Sequence, residues 1–128
     1  MIVFDASFLI AYLDSDDAHH SVAEELLAGV VDDEFGANSL TLAEVLVAPA
    51  RDGRFEAAQT ALRDLEVAEL PFPADTAVRL ALLRASTRLK MPDCCVLLAA
   101  EGSGAAVASF DDRLTQTAQG RDLPVLGR

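Results

Sequence analysis

The 128-residue chain predicts an α/β fold built on a mainly parallel central sheet. Short runs rich in β-branched or aromatic residues alternate with segments whose apolar residues recur at helical spacing, and two of those runs end on an acid. Composition agrees: hydrophobic residues make up 52% of the chain, aromatics only 5% and Trp none, which suits Ala-, Leu- and Val-rich helices packed on a sheet. The length predicts one domain over 1–128, enough for a real core and too short for two.

Ile2-Val3-Phe4 reads as a short buried strand. Asp5 stands where it ends, followed by Ala6, Ser7 and a helical pattern of Phe8, Leu9, Tyr12 and Leu13. Ligands of open α/β sheets sit at the carboxyl ends of strands, so Asp5 is a candidate for chemistry; capping the next helix is its other reading. Asp14-Ser15-Asp16-Asp17 is a turn, and the next helix runs from it through Val22, Leu26, Leu27 and Val30. His19 and His20 fall in its first turn, where adjacent residues point about 100° apart and cannot easily share a metal.

Phe35 to Ser39 predicts a strand, and Thr41 to Leu46 a helix with Ser39 or Thr41 near its cap. Glu44 sits one turn in, flanked by Leu, Ala and Val. A carboxylate buried there needs a partner, whereas a surface position on an amphipathic helix does not. Pro49 to Gly53 ends that helix, and Arg54 to Leu65 forms the next, with Phe55, Ala58, Leu62 and Leu65 on one stripe. Glu66 to Leu70 predicts a strand stopped by Pro71-Phe72-Pro73. Ala74 to Leu89 predicts a helix with Asp75 in its first turn, Val78, Leu82 and Leu89 inward, and Arg84 and Arg88 together at i,i+4.

Pro92 is expected to push Met91 out of helical geometry, so that Asp93 opens an apolar helix from Cys94 through Ala100. Ala105 to Phe110 predicts a buried strand ending on Asp111-Asp112, as the first ends on Asp5. A short helix and a strand over Leu123 to Leu126 follow.

The formal net charge of −11 is awkward for a nucleic-acid binder, whose affinity for phosphates rests on Lys and Arg. It suits cation binding, or a basic partner. Cys94 and Cys95, the only cysteines, fit neither a disulfide framework nor a zinc spacing and are expected to be buried thiols. No stretch reads as a membrane span or a basic leader, so a cytoplasmic protein is expected.

Asp5, Glu44, Asp93 and one of Asp111 or Asp112 thus stand at the working ends of elements. Right-handed crossovers can bring such ends to one edge of a sheet. Clustered carboxylates repel and raise each other's pKa, so something must compensate. Mg²⁺ and Mn²⁺ take oxygen ligands and meet that need, and one or two such ions can promote hydrolysis of a phosphodiester.

At these residues the chain resembles the PIN-domain family, specifically the small bacterial VapC-type toxins. Ile2-Val3-Phe4-Asp5-Ala6-Ser7, Thr41-Leu42-Ala43-Glu44-Val45, Pro92-Asp93 and Ser109-Phe110-Asp111 carry the resemblance, in order and spacing. It implies a three-layer α/β/α fold and an endoribonuclease that depends on one or two Mg²⁺ or Mn²⁺ ions. It also implies a cognate antitoxin that inhibits the enzyme, an RNA substrate and a homodimer. Asp5, Glu44, Asp93 and Asp111 become catalytic metal ligands, with Asp112 a possible substitute for Asp111, and Ser7 and Ser109 support the site from behind them. Arg84, Arg88 and Lys90, with Arg51 and Arg54, are candidates for substrate phosphates. Cys94 and Cys95 replace small or aliphatic residues of the family.

Two other readings compete for these residues. A haloacid-dehalogenase-type phosphotransferase needs a second acid two positions after its nucleophile, and Ser7 stands there. A catalytically silent PIN-like scaffold would account for a large apolar surface covered by a partner, but gives no reason to keep four acids.

Overall fold

The computed structural model describes residues 1–126. Among these, strands and helices alternate as β1 (Ile2–Phe4), α1 (Ala6–Leu13), α2 (His20–Ala28), β2 (Phe35–Asn38), α3 (Ser39–Arg51) and α4 (Phe55–Asp64). They continue as β3 (Val67–Leu70), α5 (Thr76–Ser86), α6 (Met91–Ser103), β4 (Ala106–Ala108), α7 (Asp112–Gly120) and β5 (Val125–Leu126). The strands form one sheet in the order β3-β2-β1-β4-β5, with every pairing parallel. β1 is central because its three residues are all apolar and all buried.

Side chains alternate across the strands and divide the core in two. Ile2 and Phe4 face one core with Phe8 and Leu9 of α1, Ala23 and Leu27 of α2, and Val45 of α3. Val3 points the other way, into a core with Leu83 of α5, Val96 and Leu97 of α6, Val107, and Leu114 of α7. The helices therefore cover both faces, which gives the expected three layers. Gly36 lets β2 and β3 pack closely: a Cβ there would stand 2.8 Å from Leu70 Cδ1.

The register sets up one edge. Phe4 lies opposite Ala108, so the residues that follow, Asp5 and Ser109, leave the sheet side by side. Ile2 pairs with Phe35 and Val3 with Gly36, and continuing that register brings Asp5 level with Asn38, where α3 begins.

Several sequence expectations need correction. The second helix begins at His20, with His19 as its cap, and ends at Ala28 before Val30. Asn38 caps α3, its Oδ1 accepting the Thr41 N–H at 2.9 Å, and Pro49 lies inside the last turns of that helix. Ala74 to Leu89 shrinks to Thr76–Ser86, with Asp75 just before its first turn, and the inward residue is Leu83. Val78 and Leu82 are 64% and 66% exposed, while Leu89 is buried but lies in the loop after the helix. Met91 is the first helical residue of α6; Pro92 sits in the first turn, where its missing N–H is not needed, and the extended residue is Lys90. The last two strands are shorter than predicted, Ala106–Ala108 and Val125–Leu126. Residues 127–128 of the expected domain lie outside the described residues.

Candidate active site

Asp5 is the fixed centre of the carboxyl edge. It follows a fully buried strand, is itself 4% exposed, and caps α1 by accepting the Phe8 N–H at 2.9 Å on Oδ1. Ser7 Oγ donates to the same carboxylate, 2.8 Å from Oδ1 and 2.9 Å from Oδ2, and Ser109 Oγ donates to Oδ2 at 2.5 Å. The two serines are tied in turn: the Phe110 N–H donates to Ser7 Oγ at 3.0 Å, and the Asp111 N–H to Ser109 Oγ at 2.9 Å. Asp5 therefore caps α1 and also lines the cavity that the other acids share.

Asp111 repeats the arrangement on α7, its Oδ1 accepting the Leu114 N–H at 3.0 Å. Asp93 stands half-buried in the first turn of α6, and Glu44 projects from α3 one turn after Thr41. Glu44 is exposed rather than enclosed by its apolar neighbours. All four acids, with Ser7 and Thr41, line one cavity of about 140 Å³. Asp112 does not: it begins α7, exposed, one residue past the wall of that cavity.

The electrostatics are those of crowded acids. Burial pushes the Asp5 carboxyl above its ordinary 3.8, against the stabilising hydrogen bonds from Ser109, Phe8 and Ser7. Asp93 is pushed up to about 6, first by burial and then by Asp111, Asp5 and Glu44, with Lys90 partly offsetting them. Negative charge at this cavity is therefore under-compensated by the protein.

The donor set is all oxygen, which fits a hard divalent cation. Among the described residues, no group of three or more His, Cys, Asp or Glu side chains is already arranged to hold a metal ion. The acids line an open cavity rather than a closed cage. That suits Mg²⁺, which keeps several waters and is commonly bound through one or two carboxylates together with substrate phosphate.

The other candidates separate. Arg88 and Lys90 line a second cleft that shares Asp93 and Asp111 with the first, and Arg113, which the sequence reading missed, joins them. Arg84 is exposed on α5 beside Cys94 and lines neither cavity. Arg51 and Arg54 lie at the α3–α4 corner, Arg54 paired with Asp52 at 3.1 Å. His20 is engaged by the Ala11 carbonyl and Glu24, and His19 stacks on Phe110 with ring centres 4.6 Å apart. Cys94 and Cys95 are buried as expected, and burial pushes both thiols up, which disfavours reactive thiolate.

Comparison with known proteins follows this geometry. The PIN domain family model matches residues 2–120. No curated protein sequence matches the chain. A toxin–antitoxin complex from Klebsiella pneumoniae contains a chain that superposes with a TM-score of 0.78 at 21% identity, covering 99% of this chain and 97% of that one. VapC20 of Mycobacterium tuberculosis, described as a sarcin-ricin loop cleaving toxin, gives 0.74 at 19% identity, covering 91% and 95%. FitAcB from Neisseria gonorrhoeae gives 0.73 at 18% identity, covering 99% and 97%. At these identities the structural likeness is one of fold. Among the described residues, no helix is long and apolar enough to cross a membrane.

Proposed function

The chain belongs to the PIN-domain family, and on that premise we propose that it is a divalent-metal-dependent endoribonuclease, the toxin of a toxin–antitoxin pair. One observation carries the reading: Asp5, Glu44, Asp93 and Asp111, from four separate segments, line the same small cavity at the carboxyl edge of the sheet. A merely structural set of acids would be dispersed or paired with cations, because like charges brought together in a partly buried cavity destabilise the fold. The structural neighbours from toxin–antitoxin complexes support the partner half of the reading.

In this reading Asp5 holds the Mg²⁺ or Mn²⁺, one ion or two, with Asp93, Asp111 and Glu44 completing the ligand set. An ion held there would supply charge stabilisation for the phosphodiester oxygens and an activated water. Ser7 and Ser109 hold the Asp5 carboxylate in one orientation, so little reorganisation is needed when the ligand arrives. Asp93, pushed up to about 6 by burial and the neighbouring acids, would be held ionised by a bound cation. Asp111 stays oriented by its helix cap, with Oδ1 held by the Leu114 N–H. The antitoxin would cover apolar surface and bring basic groups to the acids. A homodimer belongs to the same reading, and light scattering reads it directly.

The test is incubation of purified, antitoxin-free protein with total RNA in Mn²⁺, Mg²⁺ or chelator, alongside Asp5→Asn and Asp93→Asn. Discrete fragments that need metal and vanish in both variants are the expected result. Folded proteins that are all equally inert would overturn the nuclease and leave a partner-binding PIN scaffold.

A further inference from the structure

We propose that Arg88, Lys90 and Arg113 form a phosphate-holding cleft that seats the RNA strand on one side of the bond to be cut. The proposal rests on the nuclease reading above and assigns its substrate path. The cleft, about 170 Å³, is lined by those three cations with Leu89, Asp93 and Asp111. Its two acids are also walls of the carboxylate cavity, so the two hollows adjoin. Beyond it, Arg88 and Arg113 also line a wider polar hollow of about 480 Å³ with Thr87, Gln116 and Thr117. The acid site thus adjoins a row of hollows along the α5–α6 corner and α7.

Charge makes this placement informative. The chain has 10 Lys and Arg against 21 Asp and Glu, yet three of those ten surround one small cleft. Arg54, Arg79 and Arg121 are paired with Asp52, Asp75 and Glu101. Among the described residues, Arg88, Lys90 and Arg113 are in no ion pair within 4 Å, so their donors are available to a ligand. A polyanion approaching four carboxylates is repelled, and local cations that grip a neighbouring phosphate are the means of offsetting that.

The cations stand on fixed backbone. Leu89, between Arg88 and Lys90, is 2% exposed, and its N–H donates to Thr87 Oγ1 at 3.3 Å. The Thr87 hydroxyl in turn donates to the Leu83 carbonyl at 2.7 Å. Arg113 lies in the first turn of α7, which the Asp111 cap holds. Guanidinium groups on rigid supports lose less entropy when they bind phosphate. The competing role for these residues is to soften repulsion among the acids without touching substrate.

Binding of a fluorescein-labelled, mixed-sequence single-stranded RNA, followed by anisotropy from roughly 50 to 200 mM NaCl, separates the two roles. The parent is Asp5→Asn in chelator, which binds without cutting. Arg88→Gln and Arg113→Gln in that parent should each weaken binding about tenfold. Each should also flatten the slope of log affinity against log salt by about 0.7. In the metal-loaded enzyme, Arg113→Gln should raise KM with kcat little changed. Arg63→Gln, at a residue that lines none of these hollows, should do neither.

Unchanged affinity and slope in the cleft variants, while wild type still cuts RNA, would overturn the cleft alone. An equal loss from Arg63→Gln would overturn it as well, by showing that only total charge counts. A parent that neither binds RNA nor derives from a cutting wild type would overturn the nuclease reading and the cleft with it.

Discussion

Asp93→Asn should stabilise the metal-free protein near neutral pH, although it removes a ligand from the proposed site. A carboxyl whose folded pKa lies above its unfolded value is held more tightly as the acid in the folded chain. Folding therefore loses stability as pH rises from the ordinary 3.8 through about 6, and the cost is fully present above that window. That interval corresponds to roughly 3 kcal/mol at 1.36 kcal/mol per pH unit. Solvent screening of a half-exposed group brings it down to about 1–2 kcal/mol. The variant also forfeits a favourable charge at a helix N-terminus, worth about 0.5 kcal/mol. About 1 kcal/mol of net stabilisation remains, a rise of roughly 3–5 °C in Tm for a chain of this size.

Thermal melts in chelator at about pH 7.5 and about pH 4 test this directly. The variant should melt above wild type at the higher pH and lose that advantage at the lower one. Added Mg²⁺ should reverse the order at the higher pH, because a cation stabilises only the chain that binds it. A variant that melts at or below wild type in chelator, with a gap indifferent to pH, would refute the claim that crowding and burial hold Asp93 near 6.

Asp111→Asn keeps a capping oxygen for the Leu114 N–H and should leave Tm nearly unchanged while abolishing cleavage; Asp111→Ala should also cost about 1 kcal/mol in urea unfolding. Ser109→Ala deprives a buried carboxylate of a donor and should cost about 1–3 kcal/mol. With its principal counterweight gone, the Asp5 pKa should rise further, so the metal-binding pH profile read by calorimetry should shift upward. Leu83→Ala should destabilise by about 2–5 kcal/mol, whereas Leu82→Ser, on the exposed side of α5, should stay within about 0.5 kcal/mol by the same unfolding assay.

The sheet and the acids were legible because both leave local signals. A run such as Ile2-Val3-Phe4 needs two covered faces, and an acid directly after it must stand at the carboxyl edge. What was not legible depends on which neighbour covers a helix. Val78 and Leu82 have the spacing of an inward stripe, yet α5 turns Leu83 to the sheet and leaves them in solvent. Apolar neighbours left Glu44 open to a buried or a surface reading; the structure places it at the surface, with Ala43 beside it and Val47 one turn on also exposed. Arg113 gave no local signal at all. It meets Arg88 and Lys90 only because the β4–α7–β5 crossover lays α7 against the same face of the sheet as α6. Arg84, by contrast, was grouped with Arg88 on helical spacing, and the helix ends between them at Ser86.

The caps explain why a cluster of repelling acids persists in so short a chain. Asp5 directly follows β1 and Asp111 stands in the short link between β4 and α7; each starts a helix and satisfies a backbone N–H that would otherwise lack a partner. Their stabilising contribution through capping, about 1 kcal/mol apiece, opposes the cost of crowding. The same hydrogen bonds fix each carboxylate in orientation, leaving Asp93 and Glu44, which cap nothing, as the members free to adjust. On the proposed reading, the two capping acids set the orientation of the site and the acids of α3 and α6 adjust to a cation. Loss of stability on mutating Asp5 or Asp111 to Ala therefore says little about catalysis, and the Asn substitutions, which retain the caps, are the ones that isolate it.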